Sequence, residues 1–162
     1  MAEFVKVTRT FDASVEDVWK LWTDPEYVKQ WWGPDKFTCP MADIHFREGS
    51  TSLVCMKAPD EFGGASHYSI WSYTKIVPLE SIEFIQNLGD EKGNKKKPTE
   101  LGMPADFPED VRTLVTFKAI GKDKTEMTVT EFADFGQMSH FAQLGLEQSI
   151  GKAVAVFGKD AR

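Results

Sequence analysis

Basic charge is scarce in this chain, and so are cysteine, histidine and long apolar runs. Lys and Arg number 19 against 25 Asp and Glu, a formal net charge of −6. Nucleic acid and anionic membranes reward clustered cations, so neither is expected as a partner. The one basic run, Lys95 to Lys97, sits in a polar stretch and reads as solvated. No window approaches the roughly twenty apolar residues of a membrane span, and the opening MAEFVKVTRTF has no apolar core of signal-peptide length, so a cytoplasmic location is expected. Cys39 and Cys55 lie inside strand-like runs and read as reduced core residues rather than a disulfide or a metal pair. The three histidines, His45, His67 and His140, are scattered. HExxH, GxSxG and phosphate-loop patterns are missing, and nothing offers three or four ligands at metal spacing. The sequence therefore assigns no catalytic residue, no metal and no cofactor.

What is present is a globular composition: 41% hydrophobic and 27% charged over 162 residues, enough for one ordinary domain spanning residues 1–162. The apolar mass is strongly aromatic, with five Trp, twelve Phe and three Tyr. One long helical segment stands out, over residues 139–160. Met138, Ala142, Leu146, Ile150, Ala153 and Phe157 recur there at three- and four-residue steps, with Phe141, Gly145 and Ser149 on one flank and Val154 on the other. A helix of about twenty residues spans roughly 30 Å and can cross a whole sheet. Its face is thinly filled, because Gly145 and Gly151 stand where Ala would be better by roughly 1 kcal/mol each. Either another element approaches closely at these positions, or they leave a void between helix and sheet that a ligand could fill.

Upstream, residues 4–10 alternate as a half-exposed strand. Ser14 stands as an N-cap with Glu16 and Asp17 in the first turn behind it, and Val18, Leu21 and Trp22 give the first helix its apolar side. Thr23 or Asp24 caps a second short helix with Pro25 at its first position, and Trp31-Trp32-Gly33-Pro34 ends it. Strands are then expected at about 37–46, 50–58, 66–77, 80–88, 111–120 and 124–133, divided by turn signals. A polar, aperiodic loop runs from Gly89 to Asp110 and could close over a cavity. Six successive strands without helical crossovers are most simply antiparallel, and the last helix alone is long enough to cover their apolar face. The expected fold is α+β: a curved antiparallel sheet wrapped around a long C-terminal helix, with two short helices after the first strand.

The run from Val5 to Pro34 contains Val18-Trp19, Trp22-Thr23-Asp24-Pro25-Glu26 and Trp31-Trp32-Gly33-Pro34, and Phe37-Thr38 follows it. Together with Tyr73 to Pro78, Gly102 to Pro108, Val115-Thr116-Phe117 and Thr128 to Glu131, it closely resembles proteins related to the C-terminal domain of the activator of the ninety-kilodalton heat-shock chaperone's ATPase. These belong to the START-like, or SRPBCC, superfamily. The resemblance implies a helix-grip fold, and the thin helix face with its aromatic walls points to a cavity for a small hydrophobic molecule. The resemblance also implies two alternatives: a chaperone-contacting module, or an enzyme of the cyclase or dehydratase kind acting on a hydrophobic substrate. Leu146 follows Gly145 where many relatives carry Trp, with Trp71 as a compensating bulk, and Glu48 precedes Gly49 where Gly is more usual.

Taking charged strand positions as outward turns their apolar neighbours inward. The expected cavity lining is then Phe46, Met56, Trp71, Phe84 and Phe117 from the strands, Trp31 from the helix end, and Met138, Phe141, Gly145 and Ser149 from the last helix. His67, Tyr68, Tyr73 and Glu131 are the polar candidates for orienting a ligand or moving a proton, with His67 and Tyr73 counted among the lining. Glu131 falls in phase with Met127 and Val129; it is either an inward carboxylate or, as expected here, carried outward by a bulge.

Overall fold

A computed structural model describes residues 5–158 of the chain. Strand β1 (Val5–Phe11) leads into α1 (Val15–Thr23) and α2 (Pro25–Trp31), and β2 (Thr38–Asp43), β3 (Thr51–Lys57), β4 (Ser66–Val77), β5 (Ser81–Gly89), β6 (Val111–Gly121) and β7 (Lys124–Phe132) follow. Helix α3 (Ser139–Gly158) closes the described chain. Phe4, the expected start of the first strand, and residues 159 and 160, the expected end of the last helix, lie outside the described residues. The strands form one seven-stranded sheet in the order β1-β7-β6-β5-β4-β3-β2, antiparallel throughout. The sheet curls, and both short helices and α3 lie on its concave side. The α+β expectation of a curved antiparallel sheet with a long C-terminal helix holds.

Local chemistry fixes the short helices. Ser14 Oγ accepts from the Asp17 N–H at 3.3 Å at the start of α1. Asp24 ends α1 and caps α2, its carboxylate accepting from the Glu26 N–H at 2.9 Å with Pro25 at the first helical position. One residue thus separates two helices, which turns the buried side chains of both toward the same volume. β2 is shorter than expected and stops at Asp43. Its ladder with β3 breaks between Thr38 and Met41, where Pro40 offers no N–H. Beyond Asp43 the His45 N–H turns to the Ser52 hydroxyl at 2.9 Å, and Phe46 enters the core outside any strand.

The core divides along the concave face. Under α1, Trp22 stacks on Trp31 at 4.8 Å, Trp71 at 5.7 Å and Phe84 at 6.1 Å, and its indole N–H points at Met127 Sδ at 3.1 Å. Trp31 donates its indole N–H to the Leu21 carbonyl at 2.9 Å. Trp19 adds edge-on contacts to Phe46 and Phe117 at 5.6 and 5.1 Å. This half is solid aromatic packing.

The other half lies under α3, whose Leu146, Ile150 and Ala153 are buried. Three anchors hold α3 in place. Gln143 exchanges two backbone hydrogen bonds with Lys6, closing part of the open edge of β1. Phe157 lies between Phe11 and Tyr27, at 6.5 and 6.0 Å. Lys152 donates its ammonium to the carbonyls of Pro34 and Phe37 at 3.1 and 3.0 Å.

Trp22 connects α1, α2 and three strands. Trp22→Ala should lower unfolding free energy by about 3–5 kcal/mol, whereas Phe141→Ala, whose ring is 61% exposed, should change it by less than about 1 kcal/mol. Denaturant midpoints at unchanged slope measure both.

Candidate functional site

Under the first half of α3 the packing fails to close, leaving an apolar recess of about 220 Å³. The helix presents Phe141, Ala142, Gly145, Leu146 and Ser149 to it. Gly145 is where the thin helix face matters: a Cβ there would meet nothing nearer than Pro34 Cγ at 3.6 Å. The opposite wall is the turn Trp32-Gly33-Pro34 after α2, which Lys152 ties to α3. Gly33 has φ +109°, and a Cβ on it would press on Phe37 at 3.0 Å and Met56 at 3.3 Å, so the turn can sit against β3 only as glycine. Met56 of β3 and Glu131 of β7 come from the sheet. Phe107 and Phe135, packed edge to face at 5.4 Å, form the remaining lip with Met138. Asp106 holds that lip to the start of the helix by accepting from the Gln137 N–H at 3.0 Å.

Of the residues expected to line the cavity, Met56, Met138, Phe141, Gly145 and Ser149 surround the recess. The others stand elsewhere, and each placement has a physical reason. Trp31, Trp71, Phe84 and Phe117 do face inward, but into the half that α1 fills. Trp32, the next residue along, takes the place at the recess that Trp31 was expected to hold. Phe46 packs between Trp19 and Tyr73. Tyr73 is buried with its hydroxyl 2.7 Å from Ser52 Oγ, and burial pushes its pKa up to about 12. His67 is exposed on β4, and Tyr68 is half-buried beside Cys55. The expected acid–base set of His67, Tyr73 and Glu131 is therefore dispersed.

Glu131 reverses the outward expectation. The β6–β7 ladder stays in register from Arg112–Phe132 through Ala119–Thr125, so no bulge intervenes and the period-two phase with Met127 and Val129 carries the carboxyl inward. It meets Val5 on β1 and Thr113 on β6 across the ladder, and its one hydrogen bond among the described residues is a long one from Gln86 Nε2 at 3.5 Å. Glu131 is half-buried on the wall of an open recess, and its partial withdrawal from water disfavours the ionised form and pushes its pKa up to about 7, the Gln86 contact opposing weakly. Ser149 Oγ donates to the Gly145 carbonyl at 3.0 Å, which leaves its lone pairs toward any guest. The Trp32 indole N–H is closed off from solvent and finds no acceptor among the described residues. Phe107 and Phe135 escaped sequence reasoning because loops and turns carry no periodicity to say where a ring points, whereas the adjacent Trp31 and Trp32 could be read as one packing ring and one rim ring without telling which was which.

The family model described as Activator of Hsp90 ATPase homolog 1-like protein matches residues 12–157. The chain belongs to that family. The fold recurs in solved structures. A solution structure of a protein from Arthrobacter aurescens is 26% identical, with a TM-score of 0.78 over 98% of this chain and 87% of that one. A crystal structure of the AHSA1 protein from Silicibacter pomeroyi is 16% identical, with a TM-score of 0.75 over 98% and 99% of the two chains. A protein from Chromobacterium violaceum is 21% identical, with a TM-score of 0.73 over 95% and 96%. No functionally curated protein matches in sequence. Among the described residues of this family member no group of His, Cys, Asp or Glu could hold a metal, and no helix is long and apolar enough to cross a membrane.

The raised carboxyl has a consequence for stability. Between about pH 4.5 and 7 the unfolded chain releases a proton that folded Glu131 retains, so stability falls with rising pH through that window and levels off above it. Glu131→Gln removes the penalty: it should stabilise the protein by up to about 3 kcal/mol near pH 8 and leave it unchanged near pH 4. Denaturation at the two pH values reads the difference.

Proposed function

We propose that the recess between α3 and the sheet binds a small, mainly apolar molecule, and that this binding is the protein's activity. The observation that supports it most is the unfilled flank of α3. An otherwise close-packed core stops at Gly145 and Ser149, and apolar side chains from α3, the Trp32 turn, β3 and the two phenylalanine loops ring the space. START-like folds commonly bind hydrophobic ligands. The size constrains the guest: a volume of about 220 Å³ falls below the roughly 300–1,000 Å³ of drug-sized sites. A single ring with a short chain fits, and a sterol does not. Phe141 lies at the mouth, where it can swing over a guest. The chaperone-contact alternative draws on the family name alone, so small-molecule binding is the reading the geometry favours. A cytoplasmic location is part of the same proposal.

The test is a melting-temperature screen with single-ring and short-chain apolar compounds, repeated on Gly145→Trp. A ligand at a hundred times its dissociation constant stabilises by about 2.7 kcal/mol. Several compounds should raise the melting temperature of the natural chain. The tryptophan variant, which fills space nothing occupies, should keep its unliganded stability and lose the response. No shift with any compound, or an equal shift in the variant, contradicts the proposal.

A further inference from the structure

We propose that Glu131 makes the recess selective for an apolar guest carrying a protonated amine. This rests on the binding reading above and narrows its ligand class. The recess is apolar apart from one ionisable side chain, and that side chain lies on its sheet wall rather than at its mouth. A carboxylate withdrawn from water is unfavourable unless it is paired or fully hydrogen-bonded. Among the described residues its sole bond is the 3.5 Å contact from the Gln86 amide, too long to compensate the charge. Its ladder neighbours Val5 on β1 and Thr113 on β6 and its hydrogen-bond donor Gln86 on β5 bring no compensating charge, and neither do Phe107, Leu146 and Ser149, which line the recess with it. The titratable residues of α3 do not line the recess. Glu147 accepts from Gln143, Lys152 is held by the Pro34 and Phe37 carbonyls, and His140 is exposed. No other titratable side chain among the described residues lines the recess.

Unliganded, the carboxyl meets this situation by holding its proton into the neutral range. A guest ammonium offers a better solution, since it supplies the missing countercharge and a charge-assisted hydrogen bond in the same place. The rest of the lining suits such a guest as well. Trp32, Phe107, Phe135 and Phe141 border the recess, and aromatic rings around a carboxylate favour an organic cation. The same arrangement disfavours anions, which meet a like charge, and gives neutral alcohols only a neutral hydrogen bond. Binding is linked to protons: the amine enters already protonated, and the fraction of Glu131 that was protonated releases its proton to solvent.

The experiment uses one apolar body with three ends: 4-phenylbutylamine, 4-phenylbutan-1-ol and 4-phenylbutanoate, titrated calorimetrically into the natural chain and into Glu131→Gln. The amine should bind on the order of ten- to a hundredfold tighter than the alcohol near pH 8, with the carboxylate weakest. In Glu131→Gln the amine's advantage should vanish while the alcohol still binds. On the natural chain alone, amine titrations near pH 7 in buffers of different ionisation heat should show release of about half a proton, a readout independent of the variant's folding. Equal binding of amine and alcohol, absence of proton release, or an unchanged preference in Glu131→Gln overturns the selectivity while leaving apolar binding intact. Binding of none of the three, when compounds from the melting screen do bind, overturns it too; failure of both sets overturns the binding reading itself.

Discussion

A curled antiparallel sheet has a concave apolar face that must be covered, and in this chain two covers of unequal quality share the task. The first is the pair of short helices. Their single-residue junction at Asp24 aims Trp22 and Trp31 into the same volume, where Trp71 and Phe84 rise from the sheet to meet them. Four large rings in contact leave no room for anything else. The second cover is α3, which spans the remaining half with Leu146, Ile150 and Ala153 buried but with glycine and serine along one flank. What α1 and α2 fill completely, α3 only roofs.

That division explains why the recess persists instead of collapsing. The roof cannot sink, because it is fixed at both ends and along one side. Phe157 is wedged between Phe11 and Tyr27 at one end, Asp106 holds the turn ahead of α3 at the other, and Lys152 pins the helix to the Trp32-Gly33-Pro34 turn from within. Burial lowers the pKa of Lys152, the cost of holding an ammonium there, and two carbonyl acceptors offset it. The walls are equally constrained, since Gly33 lets its turn press against Met56 where any side chain would force it away. Into this fixed space β7 projects a carboxyl that no cation among the described residues neutralises.

Much of this architecture could be read from the residues. The helix stripe, the Ser14 and Asp24 caps, the strand alternation and the run of strands without crossovers each carry a local signal with a physical cause, and together they leave one economical fold. The recess was half legible for a related reason. Gly145 and Ser149 thin the helix face visibly, so the helical side of the site could be named. The sheet side could be named only at Met56, because alternation tells which residues face inward but not which of two helical covers they meet; Trp71, Phe84 and Phe117 were inward as expected and belonged to the other half. Glu131 shows the converse error, where strand phase pointed inward and the chemical rarity of a buried carboxylate argued outward. The phase was the better guide, because an unbroken ladder leaves the backbone no means of turning one side chain away. Phe107 and Phe135 lie in segments where no repeat constrains orientation, and only their mutual packing places them.

The account turns on whether that carboxyl truly lies in an apolar, unfilled space. Carbon-detected NMR titration of the Glu131 side-chain carboxyl measures this directly. A midpoint of about 7 is expected; a midpoint near the ordinary glutamate value of about 4.3 would mean that the group is hydrated or paired, and that the recess does not shield it from water.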